Sequence, residues 1–382
     1  MDFCTETIKK FLSGNGDRIP LFKVFMPESV AGLVTEALLC GYIGEGPRVE
    51  EFERRLAARL ESPHALALNN GTAAIQLALR LAGVQRGDEV ISSPMTCVAT
   101  NTPILAMGAN IVWADIDPWT GAIDPDDVRR KITGRTKAVI CMHWGGYPCD
   151  LNALGTITED HGISLIEDAC QALGSTYHGR PLGSHSDFVC FSFQAIKIIT
   201  TVDGGALICK TATEHERGRR LRWFGIDRSS ASVDCCRVSD IEEYGYKFHM
   251  NDIAAVIGIE QMCYLDDNLK KHQEHAHLYD SAFRKLQCVQ PLRYSSDRTS
   301  SYWLYTLRVK NRDAFMKYMH ESGITVSQVH TRNDLYTVFR DFKSFLPGVD
   351  EFALEQISIP VGWWLTEQDL QHIVDAVSVW PG

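Results

Sequence analysis

Strand-like and helix-like segments alternate from residue 65 to about 210, and the texture changes after residue 250. With a length of 382 residues, more than one small core needs, these features predict an α/β fold. A large domain with a mostly parallel seven-stranded sheet between helices is followed by a small C-terminal α+β domain. The large domain is expected over residues 1–255, including a lead-in over 1–20. The small domain, with the helix that links the two, is expected over 256–382.

Residues 1–20 read as irregular or helical. "PESVAGLVTEALLCG" has apolar residues at helical spacing and stops at Gly41. After the loop "GYIGEGPR" comes a charged helix, "VEEFERRLAARLE". Gly41, Gly44 and Gly46 neither form GxGxxG nor follow a strand, so a dinucleotide site is not supported. "HALALNN" is a short apolar strand, "GTAAIQLALRLAG" a helix ended by Gly83, "EVISSP" a strand, "CVATNTPILAMGA" a helix and "NIVWADID" a strand. "KAVICMHWGG", "ISLIEDA", "FVCFSF" and "GALIC" supply four more strands. Beyond residue 250, "NDIAAVIGIEQMCYLDDNLKKHQEHAHLYDSAFRKL" reads as one long helix, "SYWLYTLRV" as a strand, and "RDAFMKYMHESG" and "QDLQHIVDAV" as helices.

Composition narrows the function. Apolar residues at 45% and charged ones at 23% describe an ordinary globular chain. A net charge of −10 without a basic block argues against nucleic acid. The cluster Arg217, Arg219, Arg220 and Arg222 has the spacing of a solvated helix face. No run reaches the roughly 18 apolar residues of a membrane span. "MDFCTETIKKFLSGNGDR" lacks the apolar region of a secretory signal, so a cytoplasmic protein without membrane or nucleic-acid partners is expected. The twelve cysteines are scattered. Cys141, Cys170 and Cys190 fall in strand-like runs, where a free thiol acts as a small hydrophobe. The adjacent Cys235 and Cys236 make no zinc site alone, and no metal is expected. His272, His275 and His277 lie in a charged helical stretch without i, i+4 metal pairing and read as solvated.

The stretch "FSFQAIKIITTVDGG" places Lys197 in an apolar run just past a strand end. A lone lysine is ordinarily a snorkelling surface residue. In this setting it loses water, so its amine is more easily deprotonated and becomes a nucleophile. Two further polar features follow buried strands. Gly71 and Thr72 open a helix whose free N–H groups suit a phosphate, and Asp168 ends "ISLIED". Each alone reads as a cap or a turn. Ligands on parallel sheets gather at the carboxyl ends of strands, where all three fall. An anion cradle, a buried carboxylate and a desolvated lysine are together what pyridoxal 5′-phosphate requires.

At these residues the chain resembles the DegT/DnrJ/EryC1/StrS sugar aminotransferases, pyridoxal-phosphate enzymes of fold type I. The likeness runs from "IPLF" at residue 19 to "LTEQDLQHIVDAV" and includes "GPRVEEFE", "NNGTAAIQLAL", "ADIDPWTG", "LIEDACQALGSTYHGRPLGS", "FSFQAIKIITTVDGGAL" and "YGYKFHMNDIAAVIGIEQM". The resemblance implies that Lys197 is the Schiff-base lysine and moves the proton of transamination. It implies that Asp168 meets the ring nitrogen, that Gln171 meets the ring hydroxyl, and that Gly71, Thr72 and Ser192 cradle the phosphate. It also implies that Lys247, in "YGYKFHMN", reaches the phosphate of a neighbouring subunit, hence a homodimer with shared active sites. Pyridoxamine 5′-phosphate is the implied second form of the cofactor. L-glutamate is the implied donor, and a keto-sugar, nucleotide-linked, the acceptor.

The chain departs from the family pattern in places. Cys97 stands where many relatives stack an aromatic ring on the cofactor, Lys247 where Asn is frequent, and Gln194 where His is common. The usual Gly-Glu-Gly-Gly reads Val202-Asp203-Gly204-Gly205. His143, Trp144 and Arg332, in loops expected to line the sugar pocket, are the candidate substrate contacts, against a scaffold or surface role. Dehydration or aromatisation of a cyclic substrate is the alternative chemistry. A non-catalytic sensor on the same fold is the alternative without chemistry.

Overall fold

The computed structural model describes residues 18–228 and 240–382. Most of the expected lead-in and the Cys235–Cys236 pair lie outside the described residues. The large domain runs α1 (Ser29–Leu39), α2 (Pro47–Arg59), β1 (Ala65–Leu68), α3 (Gly71–Leu81), β2 (Glu89–Ser92), α4 (Val98–Ala106), β3 (Asn110–Trp113), α5 (Pro125–Lys131), β4 (Thr136–Met142), α6 (Leu151–His161) and β5 (Ser164–Asp168). It continues with the short β6 (Thr176–Tyr177) and β7 (Arg180–Pro181), then β8 (Phe188–Ser192), β9 (Gly205–Cys209), α7 (Ala212–Leu221) and α8 (Asp252–Met262). There follow α9 (Leu265–Phe283), β10 (Gln290–Pro291), β11 (Arg298–Thr299), β12 (Tyr305–Arg308), α10 (Arg312–Glu321), α11 (Pro347–Glu355), β13 (Gln356–Ile359) and α12 (Glu367–Ser378).

The main sheet has seven strands in the order β1-β9-β8-β5-β4-β2-β3. Only β9 runs against its neighbours. The sheet is covered on both faces, as the near-continuous apolar strands require. Along β4, Ala138, Ile140 and Met142 enter one core, while Val139 and Cys141 enter the other. The first core adds Ile75 and Leu77 of α3, the second Phe52 of α2 and Leu154 of α6. Cys141 and Cys190 are buried free thiols in these strands, whereas Cys170 sits past the end of β5, in the turn.

Local chemistry sets the helix starts. Asn70 caps α3 by accepting from the Ala73 N–H at 2.7 Å, and capping boxes at Thr211 and Thr366 open α7 and α12. Gly205 is required where β9 passes under that first cap, because a Cβ there would lie 2.4 Å from the Asn70 carbonyl group.

The small domain builds an antiparallel sheet, β10-β12-β13. Tyr279 and Phe283 of α9, Phe315 of α10 and Ile373 of α12 pack in its core. Leu265 and Leu269 still pack with the large domain, and the small core takes residues from Ala276 onward. The single long helix expected here is two, α8 and α9, broken at Cys263 and Tyr264. Asp266 and Asp267 in the first turn of α9 mark the new start, where negative charge meets the positive helix end.

Two surface expectations are overturned. Arg222 is not part of a solvated face: it is 3% exposed and pairs with Glu45 at 2.7 Å and with Glu53. Arg222→Ala is expected to cost about 3 kcal/mol, since it leaves the partly buried Glu53 without its charged partner and Glu45 with Arg228 alone. A lower urea midpoint at unchanged slope checks this. His272 and His275 are buried, each bonded through Nδ1 to a backbone carbonyl, of Tyr302 (2.8 Å) and Gly362 (3.1 Å); His277 is exposed. Burial lowers the His272 pKa from 6.5 to about 4. The unfolded chain therefore binds the extra proton first as pH falls. Stability from this group is complete above about 6.5 and is lost as pH drops toward 4. His272→Gln should flatten that part of a stability–pH profile.

Candidate active site

The carboxyl ends of β1, β5 and β8 open into one cavity of about 400 Å³. Gly71 and Thr72, Cys97, Asp168, Gln171, Ser192 and Lys197 all line it. The volume suits a small-molecule site.

The lysine loop leaves β8 and returns into β9. Phe193 closes it at both ends: its N–H donates to the Gly204 carbonyl at 2.8 Å, and its carbonyl accepts from the Thr201 N–H at 2.9 Å. Val202 takes the left-handed conformation at φ 72°, with its N–H held by the Thr200 hydroxyl at 2.9 Å. The amine of Lys197 lies 3.8 Å from the centroid of the Trp303 ring. Burial lowers the Lys197 pKa below the ordinary lysine value, and the nearby Cys170, Asp168 and Cys97 oppose that in part.

Asp168 is 3% exposed. Its Oδ2 accepts from the Thr100 hydroxyl at 2.5 Å and its Oδ1 from the Cys170 N–H at 3.1 Å. Thr96 lies 2.7 Å behind Thr100, so α4 and its approach hold the carboxyl group in one orientation. The Gln171 side chain accepts from the Gly145 N–H and turns its amide nitrogen to His330 Nε2, both at 2.8 Å. An amide N–H needs an acceptor, so His330 Nε2 carries no proton. Burial, and then the charge on Lys197, lower the His330 pKa to about 3, which keeps the ring neutral.

The first-turn N–H groups of α3 have no partner within the helix. A Cβ at Gly71 would stand 2.9 Å from Ser192 Cβ and 3.0 Å from Cys170 Sγ. Glycine thus keeps the helix end open beside the Ser192 side chain. A phosphate at these N–H groups, a ring nitrogen at Asp168 and an aldehyde at Lys197 match the donor set of pyridoxal phosphate.

Three expected residues are elsewhere, and Lys247, expected at the phosphate of a neighbouring subunit, is a separate case. His143 and Trp144 are fully buried and do not line the cavity. His143 donates from Nε2 to Glu167 at 2.8 Å and accepts the Cys149 N–H at Nδ1. Glu167 and Asp168 are consecutive on a strand and face opposite sides, and His143 falls on the Glu167 side. Trp144 donates to Thr306 Oγ1 and packs edge-on against His330 from behind. Arg332 is engaged by Asp334 at 2.6 Å and by Asp350, which leaves it no free fork for a substrate anion. Lys247 is exposed and does not line the cavity of its own chain. Its carbonyl accepts from Asn69 Nδ2 at 3.2 Å, next to the α3 cap.

Phe22, Thr100, Trp303 and His330 line the cavity and are not read from the sequence as site residues. Of "VHTRNDLYTVF", Val329 and His330 line the cavity and Arg332 does not. Trp303 heads a strand-like run, which explains its apolar character without pointing to a site.

The sequence matches the model of the DegT/DnrJ/EryC1/StrS aminotransferase family over residues 26–378. The chain belongs to that family. CalS13 of Micromonospora echinospora, a sugar aminotransferase, is 38% identical, with a TM-score of 0.91 over 95% of this chain and 100% of its own. Spr1654 of Streptococcus pneumoniae, solved in a pyridoxal-phosphate form, is 28% identical, with a TM-score of 0.88 over 94% and 98%. SpsC of Bacillus subtilis, a spore coat polysaccharide biosynthesis protein, is 33% identical over 90% of this chain and 92% of its own. This DegT/DnrJ/EryC1/StrS member is a pyridoxal-phosphate-dependent aminotransferase. No helix among its described residues is long and apolar enough to cross a membrane.

Proposed function

We propose that the enzyme moves an amino group from L-glutamate to a nucleotide-linked keto-sugar in two half-reactions, with Lys197 as both anchor and proton carrier. The observation that carries this reading is the partly desolvated Lys197 amine, in one cavity with Asp168 and the open end of α3. Bound pyridoxal phosphate supplies an electron sink for the bond broken at the donor's α-carbon. Lys197 Nζ, held below the usual lysine pKa, takes the proton from that carbon. The Gly71 and Thr72 N–H groups and the Ser192 hydroxyl bind phosphate, with Lys247 of a second subunit as a further charge on the same group. Asp168, fixed by Thr100, keeps a ring nitrogen protonated. Gln171, fixed by His330, offers its remaining N–H to the ring hydroxyl. Cys97 presents a thiol to the ring face where an aromatic side chain would cover more of it. Lys197 favours amine transfer over dehydration, and the intact lysine and aspartate speak against a sensor.

The sugar acceptor rests on the descriptions of CalS13 and SpsC. Incubation with glutamate alone should release one equivalent of 2-oxoglutarate per site. Continuous release should require a keto-sugar nucleotide from a test panel. Release by glutamate with no acceptor in the panel would refute the nucleotide-linked sugar and leave the transaminase standing. No release at all would refute the donor.

A further inference from the structure

Trp303 meets the lysine loop twice. Its ring face carries the Lys197 amine at 3.8 Å, and its indole N–H donates to the Ile196 carbonyl at 2.8 Å. The ring is itself held: it is 3% exposed, stacked on Phe22 at 5.1 Å and 23°, and nearly parallel to His330 at 6.4 Å and 22°. One side chain of the small domain therefore fixes both the backbone before the lysine and the tip of the lysine.

During amine transfer the lysine must let go of the cofactor, make room for an amino acid, and stay close enough to move a proton. An ammonium in a partly dry cavity with no fixed partner would wander or seek Asp168. We propose that Trp303 is a positioning residue that docks the free Lys197 amine on its indole face and, through its N–H, sets the backbone from which that amine reaches the cofactor. This rests on Lys197 being the amine that bonds the cofactor. The other groups facing Lys197 are Asp168, Cys97 and Cys170, which favour its charge, and neutral His330. None of them offers a flat apolar surface. A cation on an indole is attracted by the ring's negative face, most strongly where water is scarce. Trp303 thus restores basicity that burial removes.

Two variants separate the two contacts. Trp303→Leu loses face and N–H, and Trp303→Phe keeps a face. Apoprotein is mixed with pyridoxal phosphate across a pH series, and capture is followed by visible absorbance, because only the neutral amine attacks the aldehyde. In Trp303→Leu the capture midpoint should fall by about one pH unit, and in Trp303→Phe by less than half of that. Hydrogen exchange of the apoprotein over residues 194–201 should quicken about tenfold in Trp303→Phe, from the lost Ile196 bond. An unmoved midpoint in a folded Trp303→Leu overturns the docking. Unchanged exchange in Trp303→Phe overturns the backbone role, and it decides the matter if the leucine variant does not fold. Lys197→Ala is the control: if it captures the cofactor with the same absorbance, the lysine assignment itself has failed, independently of Trp303.

Discussion

Lys197→Ala is expected to reduce turnover by on the order of 10⁴-fold or more, because one change removes both the anchor and the proton carrier. The substitution is small in structural terms. The loop is held by Phe193 at both ends and by Trp303 at Ile196, and none of these bonds uses the lysine side chain. The variant should therefore fold with a melting temperature close to the parent's. It should still take up pyridoxal phosphate at the α3 end and at Asp168, but without the shifted visible absorbance of an amine-bonded aldehyde. Lys197→Arg is a sharper form of the same test, since it keeps charge and length and loses the ability to give up its proton. Wild-type absorbance in the alanine variant, or turnover within tenfold of the parent, would contradict the assignment.

Asp168→Asn carries the second largest expected effect, a fall in kcat on the order of 10³-fold, comparable with the loss of one preorganised electrostatic partner in a dry site. Asn preserves size but cannot hold a ring nitrogen protonated by charge. It also meets two donors already aimed at the carboxyl group, the Thr100 hydroxyl at 2.5 Å and the Cys170 N–H at 3.1 Å, and its NH₂ conflicts with one of them. Cofactor retention should fall much less than kcat, since the phosphate cradle is untouched. Thr100→Val, which removes one of those donors, should give a milder loss of about tenfold. Equal losses in kcat and in cofactor affinity for Asp168→Asn would show that the residue merely binds.

Much of this was legible in the chain, for reasons that differ by element. The seven strands stood out because a parallel sheet covered on both faces needs short, nearly unbroken apolar runs, and β4 and β8 are such runs. Gly71, Asp168 and Ser192 could be placed because polar residues at the ends of such runs have little choice but to face the crevice. The same rule misled at His143, one strand over. Polarity past a strand end says nothing about which face the side chain takes, and this one turns to Glu167. His272 and His275 read as solvated because lysines and glutamates surround them, yet those neighbours occupy the other side of α9 while the two rings cap carbonyls of the small domain. Trp303 and His330 were out of reach for a further reason. Each lies more than a hundred residues from Lys197, and only the packing of the small domain on the large one brings them to the amine.

The most direct measurement is borohydride treatment of the purified enzyme loaded with pyridoxal phosphate, followed by peptide mass mapping. Reduction makes permanent any bond between the cofactor's aldehyde carbon and a side-chain nitrogen. The added pyridoxyl mass is expected on the peptide that carries Lys197 and on no other. The label on a different lysine, or no label after reduction, would contradict it.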